Sequence, residues 1–335
     1  MKKGTELMNH WLTNVKADKE TYAKTVKTIL EAREAGKKDK TRIMAALTNY
    51  AKYGKNSRMT DIVSKERLES IDATELTKKI KVLNQSPYEI FLYGQDQSGL
   101  EKAVKPYIAE TTVQPAKAKE YPEPAAEGKV YFTNYDMVQM EMSKVAKGGN
   151  VNLSNFGKAN VFNEYFGRGL SSIVFQEIRE SKSLAYSAYV SYANATEKGH
   201  ANYITNYIGT QANKLPLAVN AMNDLMASLP QIPAQFENSK GSALKQIASN
   251  RINRTNIFFN QMALKKLGVD YDIRKDIYSE IQGLTLPQLT SFYDADIKPV
   301  KYNTAIIGKK ENLNMESINK MGTFQEVSLE EIFGY

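Results

Sequence analysis

Histidine content limits the hydrolytic chemistry available to this chain. A zinc peptidase site needs two histidines on one helix face, usually with a glutamate as base, and a third ligand. The 335 residues contain two histidines, His10 and His200, which are too far apart in sequence to form such a motif. No Gly-x-Ser-x-Gly elbow supports a serine triad, and the lack of cysteine excludes thiolate sites. We therefore expect no metal ligand and no complete catalytic site in this chain.

Charge and composition argue against nucleic acid and membrane as partners. The formal net charge is +8, but basic and acidic residues alternate on helix-like stretches such as residues 65–69, which is typical of a solvated face. No segment interleaves basic and aromatic residues as a base-stacking surface does. No stretch approaches the roughly 20 apolar residues that a membrane helix needs. Gly167-Arg168-Gly169 lies between two predicted helices, so we interpret it as a turn and not as a phosphate loop.

An arginine and a tyrosine seven positions apart, Arg179 and Tyr186, form the one pair with a functional signal. Taken alone, both have an ordinary structural interpretation. The helix dipole favours an arginine in the last turn of a helix, and Tyr186 would share its strand face with Leu184, Ala188 and Val190, as a core tyrosine does. The spacing by itself leaves both interpretations open.

The elements around this pair follow an α+β pattern. Residues 5–84 have helical spacing, and the β-prone residues 88–93 predict a short strand. Further strands are predicted at residues 129–132, 138–142, 184–192, 203–210 and 304–307. Helices are predicted at residues 153–166, 170–179, 215–229, 236–253, 257–267, 273–281 and 286–294. Because strands and helices come in runs, the pattern favours α+β architecture.

The domain boundary is predicted in a proline-rich connector. Residues 106–124 interleave proline with lysine and alanine, which suits an extended linker. We therefore expect residues 1–105 to form one unit of helices plus one strand, and residues 125–335 to form a complete α+β domain that carries Arg179 and Tyr186.

An internal repeat relates the two units. Four pairs of positions match at a separation of 213 or 214 residues: Gly54 with Gly268, Ile71 with Leu284, Leu76-Thr77 with Leu289-Thr290, and Tyr93-Gly94 with Ile307-Gly308. A nearly constant separation is hard to obtain by chance, although each match alone is weak. We expect residues 1–95 to be only the second half of another copy, with the sheet-forming first half of that copy missing.

The segment from Phe162 to Ser187 resembles the pitrilysin or insulinase family of zinc metallopeptidases. In that family the second half of the enzyme has a glycine-rich turn, a helix that ends in Leu-Arg or a similar pair, and Leu-(Gly/Ala)-Tyr opening a strand. Ile178-Arg179 and Leu184-Ala185-Tyr186 match this pattern with the same separation. Arg168 departs from it, because many relatives have glycine there, and this puts the shape of the turn in question.

The resemblance implies an enzyme of four homologous α+β domains, arranged as two halves that close around a peptide. Zinc, its His-x-x-Glu-His ligands and the base would lie in an N-terminal half outside this chain, as part of the same polypeptide or as a partner subunit. Arg179 would bind a backbone carbonyl of the substrate. Tyr186 would donate its phenol to the oxyanion formed as zinc-bound water attacks, a contribution of about 3 kcal/mol. Bacterial relatives often occupy the periplasm.

The resemblance also leaves a non-enzymatic alternative. Some relatives are scaffold subunits of larger complexes and carry out no proteolysis. The presence of both Arg179 and Tyr186 argues for the peptidase, because a scaffold has no need of that pair. On either hypothesis this chain alone is expected to be inactive.

Overall fold

A computed structural model describes residues 2–105, 113, 114 and 116–335 of the chain. All regular secondary structure of the N-terminal unit is helical, and no strand occurs within residues 2–105. Its helices are α1 (Lys2–Asn14), α2 (Lys19–Gly36), α3 (Lys40–Tyr53), α4 (Lys65–Ser70), α5 (Ala73–Lys81) and α6 (Gln97–Val104). Aspartate or serine caps begin most of them. Asp39, for example, accepts hydrogen bonds from the backbone N–H groups of Thr41 and Arg42 at the start of α3.

The second unit is built on one six-stranded sheet. Its strands are β1 (Lys129–Asn134), β2 (Gln139–Asn150), β3 (Ser187–Ala193), β4 (Ala201–Gln211), β5 (Asn303–Gly308) and β6 (Thr323–Glu326). Their order in the sheet is β3-β4-β2-β5-β1-β6. The β3–β4, β4–β2 and β2–β5 pairs are antiparallel, whereas β1 is parallel to both β5 and β6. The predicted α+β class is therefore confirmed, with a mixed sheet that is mainly antiparallel.

Most helices of the second unit lie on one face of this sheet. The helices of the unit are α7 (Phe156–Phe162), α8 (Leu215–Leu225), α9 (Pro233–Ser249), α10 (Asn256–Lys266), α11 (Arg274–Gly283), α12 (Leu286–Phe292), α13 (Met315–Met321) and α14 (Leu329–Phe333). The last of them, α14, packs instead with α3 on the opposite face, through Ile332 and Phe333. Three segments are π-helical, namely Asn163–Gly167, Phe175–Ser181 and Tyr293–Ile297. The main core lies between these helices and the inward side chains of the strands, such as Met140 and Met142 on β2.

The opposite face of the sheet is covered in part by α3, which comes from the N-terminal unit. Ile43, Leu47 and Tyr50 of α3 pack in a second core against Ala305, Ile307 and other residues of the sheet. Both faces of β2 are buried for this reason, and even Glu141 is only 6% exposed. The two sequence units thus share one hydrophobic core.

The repeat recurs in the backbone of the helical segments. Gly54 and Gly268 follow α3 and α10 with φ of 72° and 80°. Ile71 and Leu284 end α4 and α11 with nearly the same φ and ψ angles, and a new helix starts two residues later in each case.

No strand forms at residues 88–93, so the prediction of a strand there is wrong. The fourth match of the repeat therefore relates an irregular segment to the strand β5. Residues 88–93 have no regular structure; Phe91 stacks on Phe258 of α10 at a centroid distance of 4.7 Å. Their counterpart β5 is flanked by β2 and β1, and residues 2–105 offer no such neighbours for pairing. A β-prone segment without a partner strand cannot form a ladder.

The boundary at residues 106–124 remains a proposal. Of its prolines, Pro106 and Pro115 fall outside the described residues, whereas Pro122 and Pro124 lie in a segment without helix or strand. The sequence patterns also missed β6, α13 and α14.

Candidate functional site

Arg179 lies in the π-helical segment Phe175–Ser181, which leads from the helical layer towards β3. Buried Ile178 anchors this segment in the core, and the neighbouring Arg179 side chain is 47% exposed. Its guanidinium lies 4.8 Å from the Phe175 ring centroid, and its Nε lies 3.5 Å from Glu180 Oε1. Because that ion pair is exposed and long, it leaves most of the guanidinium donors free for a ligand.

A tight turn fixes the chain between Arg179 and β3. Ser183 adopts a left-handed φ of 50°, which is uncommon for a residue other than glycine. Leu184 N–H donates to the Ile178 carbonyl at 2.9 Å, and Thr210 Oγ1 donates to the Leu184 carbonyl at 2.5 Å. Lys214 Nζ donates to the Ser183 carbonyl at 3.1 Å. Long-range contacts therefore hold a strained turn in place, as is common at functional sites.

Tyr186 is the residue immediately before β3, and its side chain is 52% exposed. Its backbone N–H donates to the Gly209 carbonyl at 2.9 Å. Its phenolic oxygen accepts a hydrogen bond from Gln211 Nε2 at 3.0 Å, which leaves the phenolic O–H available as a donor. The interpretation of Tyr186 as a core tyrosine is wrong. Ala188 and Val190, the next two residues expected on the same strand face, are buried, whereas Tyr186 lies beyond the edge of the core.

The glycine-rich turn packs closely against β3. A Cβ on Gly167 would lie 2.0 Å from the Val190 carbonyl oxygen, so only glycine fits there. The Asn163 side chain pairs with both backbone groups of Tyr192, accepting from its N–H at 2.8 Å and donating to its carbonyl at 2.9 Å. Arg168 has an extended φ of −134°, which any residue can adopt, so this departure from the family pattern does not distort the turn.

Both predicted residues are therefore on the surface at the two ends of one short connection. In the part of the chain that the structure describes, no hydrogen bond or ion pair joins Arg179 to Tyr186. Sequence patterns did not indicate Gln211, which orients the Tyr186 phenol. Its role depends on the pairing register of β3 with β4, and the sequence does not specify that register.

The two histidines have ordinary local partners. His10 is exposed on α1 beside the Asn14 amide, at 3.3 Å. His200 follows the turn at Gly199, and its Nδ1 lies 3.2 Å from Glu123 Oε1. No group of three or more His, Asp or Glu side chains suited to a metal occurs among the described residues. The described residues therefore do not fit a zinc ion.

Among the helices that the structure describes, none is both long and apolar enough to cross a membrane.

The fold and site together define an α+β domain whose described residues form no metal centre, and comparison with known proteins shows what it resembles. Residues 81–240, which include Arg179 and Tyr186, match the Peptidase M16 inactive domain. The match covers just under half of the chain, and it confirms the resemblance at the level of the M16 inactive domain.

Individual relatives agree with that assignment. The chain is 28% identical over 136 residues to the uncharacterized zinc protease YmxG of Bacillus subtilis (strain 168), a match that covers 38% of this chain and 32% of that protein. In structure it resembles the M16 inactive domain from Pseudomonas fluorescens, with a TM-score of 0.68 and 14% identity, over 92% of this chain and 74% of that one. The periplasmic protease PqqL from Escherichia coli gives the same score and identity, over 92% and 35%. At such identities, the structural likeness shows the fold alone.

Proposed function

We propose that this chain is the non-metal half of a zinc-dependent endopeptidase. In this proposal Arg179 holds a backbone carbonyl of a peptide substrate, and Tyr186 donates its phenolic O–H to the oxygen that becomes negatively charged. A zinc-bearing N-terminal half, in the same polypeptide or in a partner subunit, supplies the metal. This chain contributes binding, orientation and charge stabilisation.

The observation that carries the proposal is the hydrogen bond of Tyr186. Gln211 donates to the phenolic oxygen and so fixes the phenol, while the phenolic proton remains free and half of the side chain is exposed. A donor that is already oriented loses little reorganisation energy when charge develops on a substrate oxygen. Arg179 adds a second exposed donor on the same connection, with several N–H groups to offer a carbonyl.

Exposed apolar residues of α10 support a partner half. On α10, Ile257, Phe259 and Met262 are 43%, 64% and 39% exposed. Its repeat counterpart α3 packs on a sheet, so we infer that α10 packs on the sheet of the partner half.

Reconstitution with the zinc-bearing half tests the proposal. The wild-type chain is mixed with that half, and cleavage of a quenched fluorescent peptide is followed. Loss of one oxyanion donor typically lowers kcat by 100-fold or more, so we expect Tyr186→Phe to lower kcat by about 100-fold. Arg179→Ala should lower kcat/KM by about 10- to 100-fold, because a hydrogen bond to a charged donor is worth about 1.5–3 kcal/mol.

Tyr278→Phe and Arg251→Ala are matched controls, since both side chains lie outside the turn and β3, and both should cleave at the wild-type rate. If Tyr186→Phe and Arg179→Ala also keep the wild-type rate, the assigned roles are wrong. A complex that forms but does not cleave would instead favour the scaffold alternative.

A further inference from the structure

A cleft of about 660 Å³ lies beside α3, on the face of the sheet opposite the main helical layer. One wall is α3, from Lys40 to Tyr53. The floor consists of β2, β4 and β3, including Tyr189, Thr205 and Tyr207. The second core covers the sheet around β5 and β1, whereas these three floor residues are only partly buried. The cleft is thus the part of this face that α3 leaves open.

The Gln211 hydrogen bond connects this cleft to Tyr186. Side chains alternate along a strand, so Gln211, Gly209, Tyr207, Thr205 and Tyr203 of β4 share one face. Gln211 at one end holds the Tyr186 phenol, and Tyr203 at the other end lies under Lys52. At a rise of about 3.3 Å per residue, the eight steps between the two ends span about 26 Å, the length of about eight residues of extended peptide.

The middle of the floor is aromatic. Tyr189 and Tyr207 are directly opposite in the β3–β4 pairing, and their rings stack at 5.1 Å with an interplanar angle of 17°. Gly209 leaves space beside the Tyr207 hydroxyl, since a Cβ there would lie 3.1 Å from it. The result is a flat surface suited to an aromatic side chain.

The charges of the cleft are unbalanced. Glu141 is neutralised by Lys40, whose Nζ lies 2.9 Å from its Oε1. Lys52 Nζ lies 3.5 Å from the Tyr203 ring centroid and 4.7 Å from that of Tyr53, and it pairs with no carboxylate among the described residues.

A carboxylate does lie near Lys52, but it is bound elsewhere. Glu123 accepts from the Ala201 N–H at 3.0 Å and contacts His200 Nδ1 at 3.2 Å. Burial lowers the pKa of Lys52 to about 8, and the nearby Glu123 offsets this only in part. Lys52 is therefore a partly buried cation without a full counter-charge, and an acidic ligand group beside it would stabilise its charged form.

We propose that this cleft is a peptide-binding groove that continues the Tyr186 site and selects an aromatic residue over Tyr189 and Tyr207 and an acidic residue at Lys52. The proposal rests on the peptidase function proposed above. Tyr207 and Tyr203 are four residues apart on β4, so the aromatic and acidic residues of an extended peptide are four positions apart as well.

A binding measurement on the whole chain alone tests the groove. The probes are two fluorescein-labelled octapeptides of glycine and serine, with phenylalanine and, four positions later, either glutamate or glutamine. Fluorescence anisotropy of the wild-type chain should show at least fivefold tighter binding of the glutamate peptide. Lys52→Gln should abolish that preference. Lys55→Gln, which removes the same charge from an exposed position just beyond α3, should retain it.

A second variant tests the position of the peptide independently of charge. Thr205→Trp fills the middle of the groove and should weaken binding of both peptides at least tenfold, with the circular dichroism spectrum unchanged. Equal affinities of the two peptides, no measurable binding, or wild-type binding by Lys52→Gln would overturn the groove.

The two proposals fail separately in these experiments. Glutamate-selective binding without cleavage after reconstitution would reject the catalytic roles of Arg179 and Tyr186 and keep the groove. Cleavage that depends on Tyr186, together with no selectivity at Lys52, would reject the groove alone.

Discussion

At the scale of single residues, exposure and hydrogen bonding separate Tyr186 from the other tyrosines of the sheet. Tyr192 and Tyr203 are buried, and burial raises the pKa of Tyr192 to about 12. Tyr186 is half exposed and oriented by Gln211. Sequence patterns identified Tyr186 and Arg179, but they also allowed a core position for the tyrosine. The Tyr186 side chain is exposed because β3 begins at Ser187, which leaves Tyr186 just outside the strand and the core.

Lys52 provides a prediction about stability and pH. Burial lowers its pKa from 10.5 to about 8 in the folded protein. Below pH 8 the lysine is charged in both the folded and the unfolded state, and the full cost of burying the charge opposes folding. Between pH 8 and 10.5 the unfolded state binds more protons, so this cost falls as the pH rises, and above pH 10.5 it is absent.

Lys52→Met should therefore be more stable than the wild type below pH 8, and its advantage should shrink between pH 8 and 10.5. Urea unfolding of both proteins at a series of pH values measures the difference between their free energies of unfolding. The ionisation of the tyrosines contributes equally to both proteins and cancels in this difference. An advantage that is constant across this range would contradict the assigned pKa.

At the scale of elements, the connection from the π-helical segments to β3 depends on a close approach of backbones. Helical spacing predicted the helices at residues 153–166 and 170–179, and the structure confirms helical segments there, with π-helical ends. Hydrophobic periodicity identifies which residues face the core, because it is a local property. The packing distance between Gly167 and Val190 is not local and appears only in the fold.

Gly167→Ala should destabilise the protein by about 2–3 kcal/mol, because the new methyl group meets a backbone oxygen and the strand or the helix must shift. Gly241→Ala is the matched control: it lies in α9 with no atom within 4 Å of the added Cβ. That change should raise stability by about 0.5–1 kcal/mol through the lower flexibility of the unfolded chain. Denaturant unfolding monitored by circular dichroism measures both, and equal stabilities of the two variants would contradict the close approach.

At the scale of the whole molecule, α3 links the two sequence units. Its apolar face packs on the sheet of the second unit, and the Asn303 side chain donates to the Ala51 carbonyl at 2.9 Å. The same side chain accepts from three consecutive backbone N–H groups, at residues 127–129, just where the chain enters β1. We expect both units to unfold together, since neither buries this core without the other.

Leu47→Ala tests this coupling. Leu47 is fully buried between α3 and the sheet, so the substitution should cost about 2–5 kcal/mol. Far-ultraviolet circular dichroism and tyrosine fluorescence should shift to lower denaturant together, as a single transition. Leu76→Ala, at a position that is 37% exposed, should cost less than about 1 kcal/mol. Two separate transitions, with only the first affected by Leu47→Ala, would show that the units fold independently.

The sequence by itself determined the α+β class, the positions of most helices and the glycine turns at equal spacing, and it pointed to Arg179 and Tyr186 as the candidate pair. These depend on local periodicity and backbone preference, which residues close in the chain settle among themselves. The tertiary structure decided that Tyr186 is exposed, that Gln211 orients it, that α3 covers a sheet from the other unit, and that residues 88–93 form no strand. Strand pairing and burial depend on partners far away in sequence, and only the folded chain brings those partners together.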